Sequence, residues 1–273
     1  MDLFKAVFLG ILQGLTEFLP ISSSAHLRIF PELFGWEDPG AAFTAVVQIG
    51  TETAVLLYFW RDIWQIGSTW VRSLFDRSLR PHRDARMGWF IIIGSLPIVA
   101  LGITFKEVIE RDFRNLWVIG TALVVLGIVL GISERVGRKH QSIERLNLRD
   151  AVLLGLAQAA ALVPGVSRSG ATISMGLFLG YERQASTRYA FLLAIPAVVG
   201  AGLFELPEIP HGAQAYGVVP TLVATVVAFG VGYATIAWLL RYVSTHTYTP
   251  FVLYRIALGG MTLVLLGVGV FSP

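Results

Sequence analysis

The chain of 273 residues contains no cysteine and few charged residues, and both shortages narrow what kind of protein it is. Without cysteine it has neither disulfides nor thiolate metal sites. Charged residues make up 14% of the chain, against about 25% in a typical soluble domain. The formal net charge of +3 does not predict nucleic-acid binding, because the basic residues cluster in two loops and form no continuous stripe.

Hydrophobic residues, in contrast, make up 55% of the chain, which is typical of an integral membrane protein. A helix that crosses a bilayer needs about 20 mostly apolar residues. We therefore predict an all-α polytopic membrane protein with about six such spans. They are expected at 41–60, 88–105, 115–132, 185–205, 217–241 and 251–271.

Two further hydrophobic stretches, 3–30 and 150–182, are interrupted in the middle by Pro, Gly and Ser. Irregular backbone at membrane depth is tolerated only where it is buried in protein or lines a watery cavity. These stretches therefore predict two re-entrant helical hairpins. The arginine-rich loops 61–86 and 133–149 are predicted to be cytoplasmic, which places both termini outside and opens the first hairpin from the outer face.

An internal repeat links the two interrupted stretches. "LGILQGLTEFLPISSS" (9–24) aligns with "LGLAQAAALVPGVSRS" (154–169) apart from a one-residue gap. Each half would hold one hairpin and three spans, so the second half would be inverted in the membrane, with a binding site near the midplane. The predicted organisation is a single membrane domain over 1–273, with repeat 1 at about 1–132, a cytoplasmic linker at about 133–149 and repeat 2 at about 150–273.

The first interruption carries reactive side chains. Gln13 and Glu17 are four residues apart and so share one face of a helix. Three serines and a histidine follow Pro20, and a hydroxyl nucleophile needs both a base and a group that orients the base. Glu17, one of the serines and His26 supply those three types. The alternative is that Glu17 is solvated at a helix end and that the serines only cap the next helix.

The second interruption, "PGVSRSGAT" (164–172), places Arg168 among hydroxyl side chains just before an apolar helix. A helix N-terminus offers free N–H groups, and an arginine fork matches phosphate oxygens. The stretch lacks the Gly-Lys-Ser/Thr ending of a Walker loop. The alternative is an Arg168 that snorkels to the membrane interface. If the two interruptions meet, they form a site for phosphate chemistry inside the membrane.

"QGLTEFLPISSSAH" and "PGVSRSGATIS" strongly resemble the two signature motifs of the bacterial undecaprenyl-diphosphate phosphatase family, also called the bacitracin-resistance family. The resemblance extends to "VVQIGTETAVLLYFWRD" and "FLLAIPAV". It implies six spans with two re-entrant hairpins in a bacterial cytoplasmic membrane. It also implies hydrolysis of undecaprenyl diphosphate to undecaprenyl phosphate and inorganic phosphate, which recycles the lipid carrier for wall polymers and confers bacitracin resistance.

The same resemblance implies roles for individual residues. The expected catalytic residues are Glu17, Ser23, His26 and Arg168. The expected substrate-binding residues are Gln13, Ser22, Ser24, Ser167, Ser169, Gly170 and Thr172. Our mechanistic hypothesis is that Ser23 attacks the terminal phosphorus while His26 takes its proton and Glu17 orients His26. Attack by water, with His26 as the base, is the alternative.

The resemblance also implies stimulation by Mg²⁺ or Ca²⁺. Many members of the family have glutamate where this chain has Gln13, so Glu17 is its sole motif carboxylate. We therefore expect the metal to bind mainly through the substrate diphosphate, with its protein ligands unassigned. Arg255 is predicted to snorkel to the interface, with contact to the site as the alternative. Glu52 has no assigned role, and Gln48 is a candidate for lining the cavity.

The expected partners are a polyprenyl diphosphate substrate and membrane lipid, without nucleic acid, and a homodimer is left open. The active site is predicted to open to the outer face. The alternative function is a transporter or flippase of a phosphorylated polyprenyl lipid, because inverted repeats with broken helices are common in secondary transporters. A nucleophile with its base distinguishes the two functions, since moving an anion needs neither.

Overall fold

The structure, a computed structural model, describes residues 2–105, 115–205 and 217–272. Within these ranges it contains eleven α-helices and no strand. In chain order they are α1 (Leu3–Phe18), α2 (Ser23–Leu33), α3 (Gly40–Tyr58), α4 (Trp60–Phe75), α5 (Arg83–Thr104), α6 (Leu116–Val136), α7 (Leu148–Ala159), α8 (Arg168–Phe178), α9 (Arg183–Glu205), α10 (Val218–Tyr242) and α11 (Thr249–Gly267). The predicted all-α membrane fold is confirmed.

Four helices in the described part of the chain, α5, α6, α10 and α11, are long and apolar enough to cross a membrane. The pair α3 and α4 forms a fifth candidate span that is bent by 69°. Among the described residues the structure thus gives four or five candidate spans, and the predicted number of six is not confirmed. The predicted loop 61–86 instead contains most of α4 and the start of α5. This helix forms because apolar residues such as Trp64 recur at helical spacing among the arginines, which makes α4 amphipathic.

Both interruptions lie where Pro, Gly and Ser predicted them. The first helix pair, α1 and α2, is broken between Phe18 and Ser23. The second pair is broken between α7, extended by a short 3₁₀ turn at Ala160–Leu162, and α8. Each break ends on a serine that caps the next helix, with the Ser22 hydroxyl accepting from the Ala25 N–H and the Ser167 hydroxyl accepting from the Gly170 N–H.

Each broken pair packs against a long helix from the opposite half of the chain, α1 against α10 and α7 against α5. Glycines allow this close approach. A Cβ at Gly10 would lie 2.5 Å from the carbonyl oxygen of Ala224, and one at Gly155 would lie 2.2 Å from that of Gly94. Small residues at such contacts let two helix backbones come together in a membrane. The broken pairs are therefore fixed to rigid helices that do not neighbour them in sequence.

We predict that Gly155→Ala lowers the melting temperature of the purified protein in detergent, because the added Cβ must push α7 away from α5. Such overpacking costs about 1–3 kcal/mol. Gly230→Ala on α10 is the matched control, since a Cβ there meets nothing within 4 Å. Equal melting temperatures for Gly155→Ala and Gly230→Ala would contradict the close packing of α7 on α5.

Candidate active site

The structure brings the two interruptions into direct contact. Arg168 lies at the start of α8, and its Nη2 donates to Oε1 of Glu17, near the end of α1, at 2.7 Å. The Ser169 hydroxyl donates to the carbonyl oxygen of Leu19 at 3.1 Å. These contacts join segments from opposite halves of the chain into one site.

Glu17 is the centre of the site, because it bonds to three other side chains. Its Oε1 accepts from Arg168 at 2.7 Å. Its Oε2 accepts from the Ser23 hydroxyl at 2.6 Å and from Nε2 of Gln13 at 3.1 Å. Hydrogen bonds to an ionised carboxylate are about twice as strong as neutral ones. The Glu17 side chain is only 12% exposed, so these bonds are formed in a sheltered place that solvent still reaches.

His26 does not lie between Glu17 and Ser23, as the mechanistic hypothesis expected. Its Nδ1 lies 2.7 Å from the carbonyl oxygen of Ser22, and its Nε2 lies 2.7 Å from the Tyr254 hydroxyl. Because a carbonyl only accepts, Nδ1 carries the proton and Nε2 of a neutral ring accepts from Tyr254. Both ring nitrogens are thus engaged away from Ser23, and Glu17 contacts Ser23 directly. The predicted chain from Glu17 through His26 to Ser23 is wrong in this geometry.

The other predicted serines form two matching pairs. The Ser22 and Ser24 hydroxyls are 3.1 Å apart, and so are those of Ser167 and Ser169. Ser22 and Ser167 have positive φ angles of 75° and 74°, a conformation that costs a residue other than glycine free energy. Such strain often marks a functional turn. Here the same backbone turn, ending on a capping serine, begins each of the two short helices α2 and α8.

The remaining predicted residues of the second motif, Gly170 and Thr172, are buried in α8. A Cβ at Gly170 would lie 2.8 Å from Nη1 of Arg255, so glycine makes room for that guanidinium. The Thr172 hydroxyl has no hydrogen-bond partner among the described residues.

Arg255, on α11, is completely buried, which contradicts the predicted snorkelling position. Its Nη1 donates to the carbonyl oxygen of Pro20 at 2.9 Å. Its Nη2 donates to the carbonyl oxygens of Gly165 and Val166 at 2.9 and 3.0 Å. Breaking a helix inside a membrane leaves carbonyls without their usual donors, and one guanidinium supplies donors to both breaks. Arg255 therefore holds the two interruptions together.

A cavity of about 380 Å³, counting the part open to solvent, lies beside Glu17 and Arg168. Its apolar wall comes from α3 and α9, through side chains that include Val55 and Phe191. Thr51 and Glu52 of α3 also line it. The sequence motifs give Glu52 no role, although a carboxylate in an apolar span is costly and therefore indicates a function. The cavity thus has a charged end and an apolar wall.

The cavity residues fit a divalent cation that is shared with a substrate. The described residues hold no group of three or more His, Asp or Glu side chains arranged for a metal ion. Glu17 and Glu52 nevertheless line one cavity and offer hard oxygen donors. Mg²⁺ commonly binds through one or two carboxylates together with substrate phosphates.

The fold and site define a polytopic membrane protein with a polar centre built from two broken helix pairs. The family model described as "Bacitracin resistance protein BacA" matches residues 6–261. The chain therefore belongs to this family, and the resemblance noted in the two motifs is confirmed.

Relatives named "Undecaprenyl-diphosphatase" align over essentially their whole length. A protein of a Nocardioides species is 67% identical over 272 residues, covering 100% of this chain and 99% of the relative. A Micrococcus luteus protein is 55% identical over 276 residues, covering all of both chains. A Thermobifida fusca protein is 54% identical over 273 residues, covering 100% of this chain and 93% of the relative.

We predict that Arg255→Met lowers the melting temperature in detergent, because the carbonyls of both breaks lose their donor. Each buried carbonyl left without a donor costs about 1–3 kcal/mol. Arg241→Met, at the exposed end of α10, is the control and should melt close to the unmodified protein. An Arg255→Met protein that melts at or above the wild-type temperature would contradict the role of Arg255 in holding the breaks together.

Proposed function

We propose that this protein hydrolyses undecaprenyl diphosphate to undecaprenyl phosphate and inorganic phosphate within the membrane. One observation carries the proposal: Glu17 bonds at the same time to the Ser23 hydroxyl and to the Arg168 guanidinium. A nucleophile, its proton acceptor and an anion-binding cation are thereby in contact. The names of the relatives support the same reaction.

The substrate's diphosphate would bind at the charged end of the cavity. The Arg168 side chain is 19% exposed, so its guanidinium is accessible to phosphate oxygens. The N-termini of α2 and α8 add backbone N–H groups and the positive ends of two helix dipoles. The apolar wall from α3 and α9 suits the prenyl chain.

The chemical step follows from the bond between Ser23 and Glu17. Glu17 Oε2 takes the hydroxyl proton as Ser23 Oγ forms a bond to the terminal phosphorus. The bond from that phosphorus to the bridging oxygen breaks, and undecaprenyl phosphate leaves with the electron pair. Water then hydrolyses the phosphoserine, releasing inorganic phosphate. Phosphoryl transfer depends mainly on positioning and electrostatics, so Arg168 contributes by stabilising the charge on the phosphate oxygens.

His26 acts as a positioning residue in this mechanism. It fixes the turn at Ser22 through that residue's carbonyl and ties the turn to Tyr254 on α11. The Mg²⁺ or Ca²⁺ implied by the family would bind at the charged end of the cavity, where it would neutralise charge on the diphosphate.

The alternative, a flippase for a phosphorylated lipid, needs cationic and N–H donors but no activated hydroxyl. The short contact between Ser23 and Glu17 favours hydrolysis over transport. The chain is a multi-pass membrane protein, and we place it in the bacterial inner membrane with its site open to the outer face, as the arginine-rich loops predict. Hydrolysis of undecaprenyl diphosphate at that face, which recycles the lipid carrier, would account for bacitracin resistance. A homodimer stays a prediction.

Phosphate release from undecaprenyl diphosphate by the purified protein in detergent tests the reaction. We expect Arg168→Ala and Glu17→Gln each to lower the rate by about 10²–10³-fold, the usual loss when one group that stabilises the transition state is removed. Arg138→Ala, on the exposed linker, is the control and should keep the wild-type rate. A folded wild-type protein that releases no phosphate when divalent ions are supplied would contradict hydrolysis and favour transport.

A rapid-quench reaction with substrate labelled in its terminal phosphate tests the nucleophile. We expect acid-stable label on Ser23, located by mass spectrometry, and none in Ser23→Ala. Ser24→Ala is the neighbouring control, because Ser24 bonds to Ser22 and the Gly165 N–H and has no contact with Glu17. A Ser23→Ala protein that keeps its rate within about 10-fold, equivalent to 1.4 kcal/mol, would instead indicate direct attack by water.

A further inference from the structure

The proposed mechanism leaves open why a second carboxylate, Glu52, lies in the cavity. Glu52 lies on the apolar helix α3 and is only 9% exposed. Its Oε1 accepts a hydrogen bond from Nε2 of Gln48 at 3.1 Å. It lines the same cavity as Glu17 and Arg168. A carboxylate in an apolar membrane helix is expensive and marks a functional position.

The charged side chains that line the cavity are not, without a further cation, suited to an anionic substrate. Among its described lining residues, two are carboxylates and one, Arg168, is cationic. Arg255 donates to carbonyls of the two breaks, so its guanidinium is committed to the backbone. A diphosphate that enters therefore meets two carboxylates beside one guanidinium, and like charges that share a site repel one another. A divalent cation removes this repulsion.

A second, independent feature points to a ligand at the same place. The Gln13 side chain is 1% exposed, and its Nε2 donates to Glu17 Oε2 and to Thr51 Oγ1, at 3.1 and 3.4 Å. Its Oε1 is buried and has no partner among the described residues. Gln13 is not itself a lining residue, but its amide group bonds to two that are, and one of them, Thr51, immediately precedes Glu52 in the chain. Buried polar atoms nearly always have a partner, and amide oxygens are ligands for Ca²⁺ and Mg²⁺.

We propose that Glu52 is a metal ligand, which together with Gln13 Oε1 and the substrate diphosphate holds a divalent cation in the cavity. Glu17 has a different task, because the proposed mechanism uses it as the proton acceptor for Ser23. The negative charge that a cation requires therefore comes from α3, and position 13 contributes a neutral oxygen. This inference rests on the proposed function for the identity of the anion.

Binding of Mn²⁺, a spectroscopic substitute for Mg²⁺, tests the site directly. The purified protein in detergent is titrated with Mn²⁺ in the presence of methylenediphosphonate, a diphosphate that is not hydrolysed, and free Mn²⁺ is measured by electron paramagnetic resonance. We expect Glu52→Gln to weaken Mn²⁺ binding by at least about 10-fold, as loss of a metal-site group usually does. Glu144→Gln, a half-exposed carboxylate on the linker, should bind as the wild type does.

Moving the carboxylate from position 52 to position 13 gives a second test, in which Mn²⁺ affinity should be regained and not only lost. Because Gln13 borders the same cavity residues, the double variant Glu52→Gln/Gln13→Glu should recover Mn²⁺ affinity to within about 3-fold of wild type, under 1 kcal/mol. Glu52→Asp, which keeps the charge, should bind more tightly than Glu52→Gln. Melting temperatures of the same preparations identify any variant that fails to fold.

The outcomes separate this inference from the proposed function. A folded Glu52→Gln protein that binds Mn²⁺ with wild-type affinity overturns the inference, even if the wild type releases phosphate normally. A double variant that stays as weak as Glu52→Gln overturns the shared location of positions 13 and 52. A wild type without phosphate release, but with Mn²⁺ binding that depends on Glu52, overturns the proposed hydrolysis and supports the metal site.

Discussion

The structure of the site depends on the hydrogen bonds that Arg255 donates to backbone carbonyls of both breaks. A helix broken inside a membrane loses internal hydrogen bonds, and lipid offers none in return. One buried guanidinium, with several donors in a fixed plane, contacts Pro20, Gly165 and Val166 together. The breaks are thus stable because they meet, and the polar side chains they carry come together as a consequence.

The ion pair between Arg168 and Glu17 follows from that meeting and prepares the site for an anion. Without substrate, each group neutralises the other in a sheltered cavity. A phosphate that binds Arg168 would compete for the guanidinium that now bonds to Glu17 Oε1, while Oε2 keeps its contact with the Ser23 hydroxyl. Under the proposed hydrolysis, substrate binding would therefore free the Glu17 carboxylate from Arg168 to act as the proton acceptor for Ser23.

The sequence predicted those features of the fold and site that depend on local spacing. The shared face of Gln13 and Glu17 and the two serine-capped breaks follow from helix period and from Pro, Gly and Ser at known positions. The partners of His26 and Arg255 lie on elements far away in the chain, and no local pattern specifies them. Helix α4 was predicted as a loop, because an amphipathic helix with arginines resembles a loop when charge alone is counted.

The two breaks share one backbone conformation but carry side chains of different chemistry. In each, a serine with φ near 75° caps a short helix, and the next residue is the first of that helix. That residue is Ser23 in one break and Arg168 in the other, and both contact Glu17. Two matching turns thus place a hydroxyl and a guanidinium at equivalent helix N-termini, where the dipoles of both helices favour the same anion. Under the proposed function, the residue that follows the capping serine therefore decides whether a turn supplies the nucleophile, as at Ser23, or the anion-binding cation, as at Arg168.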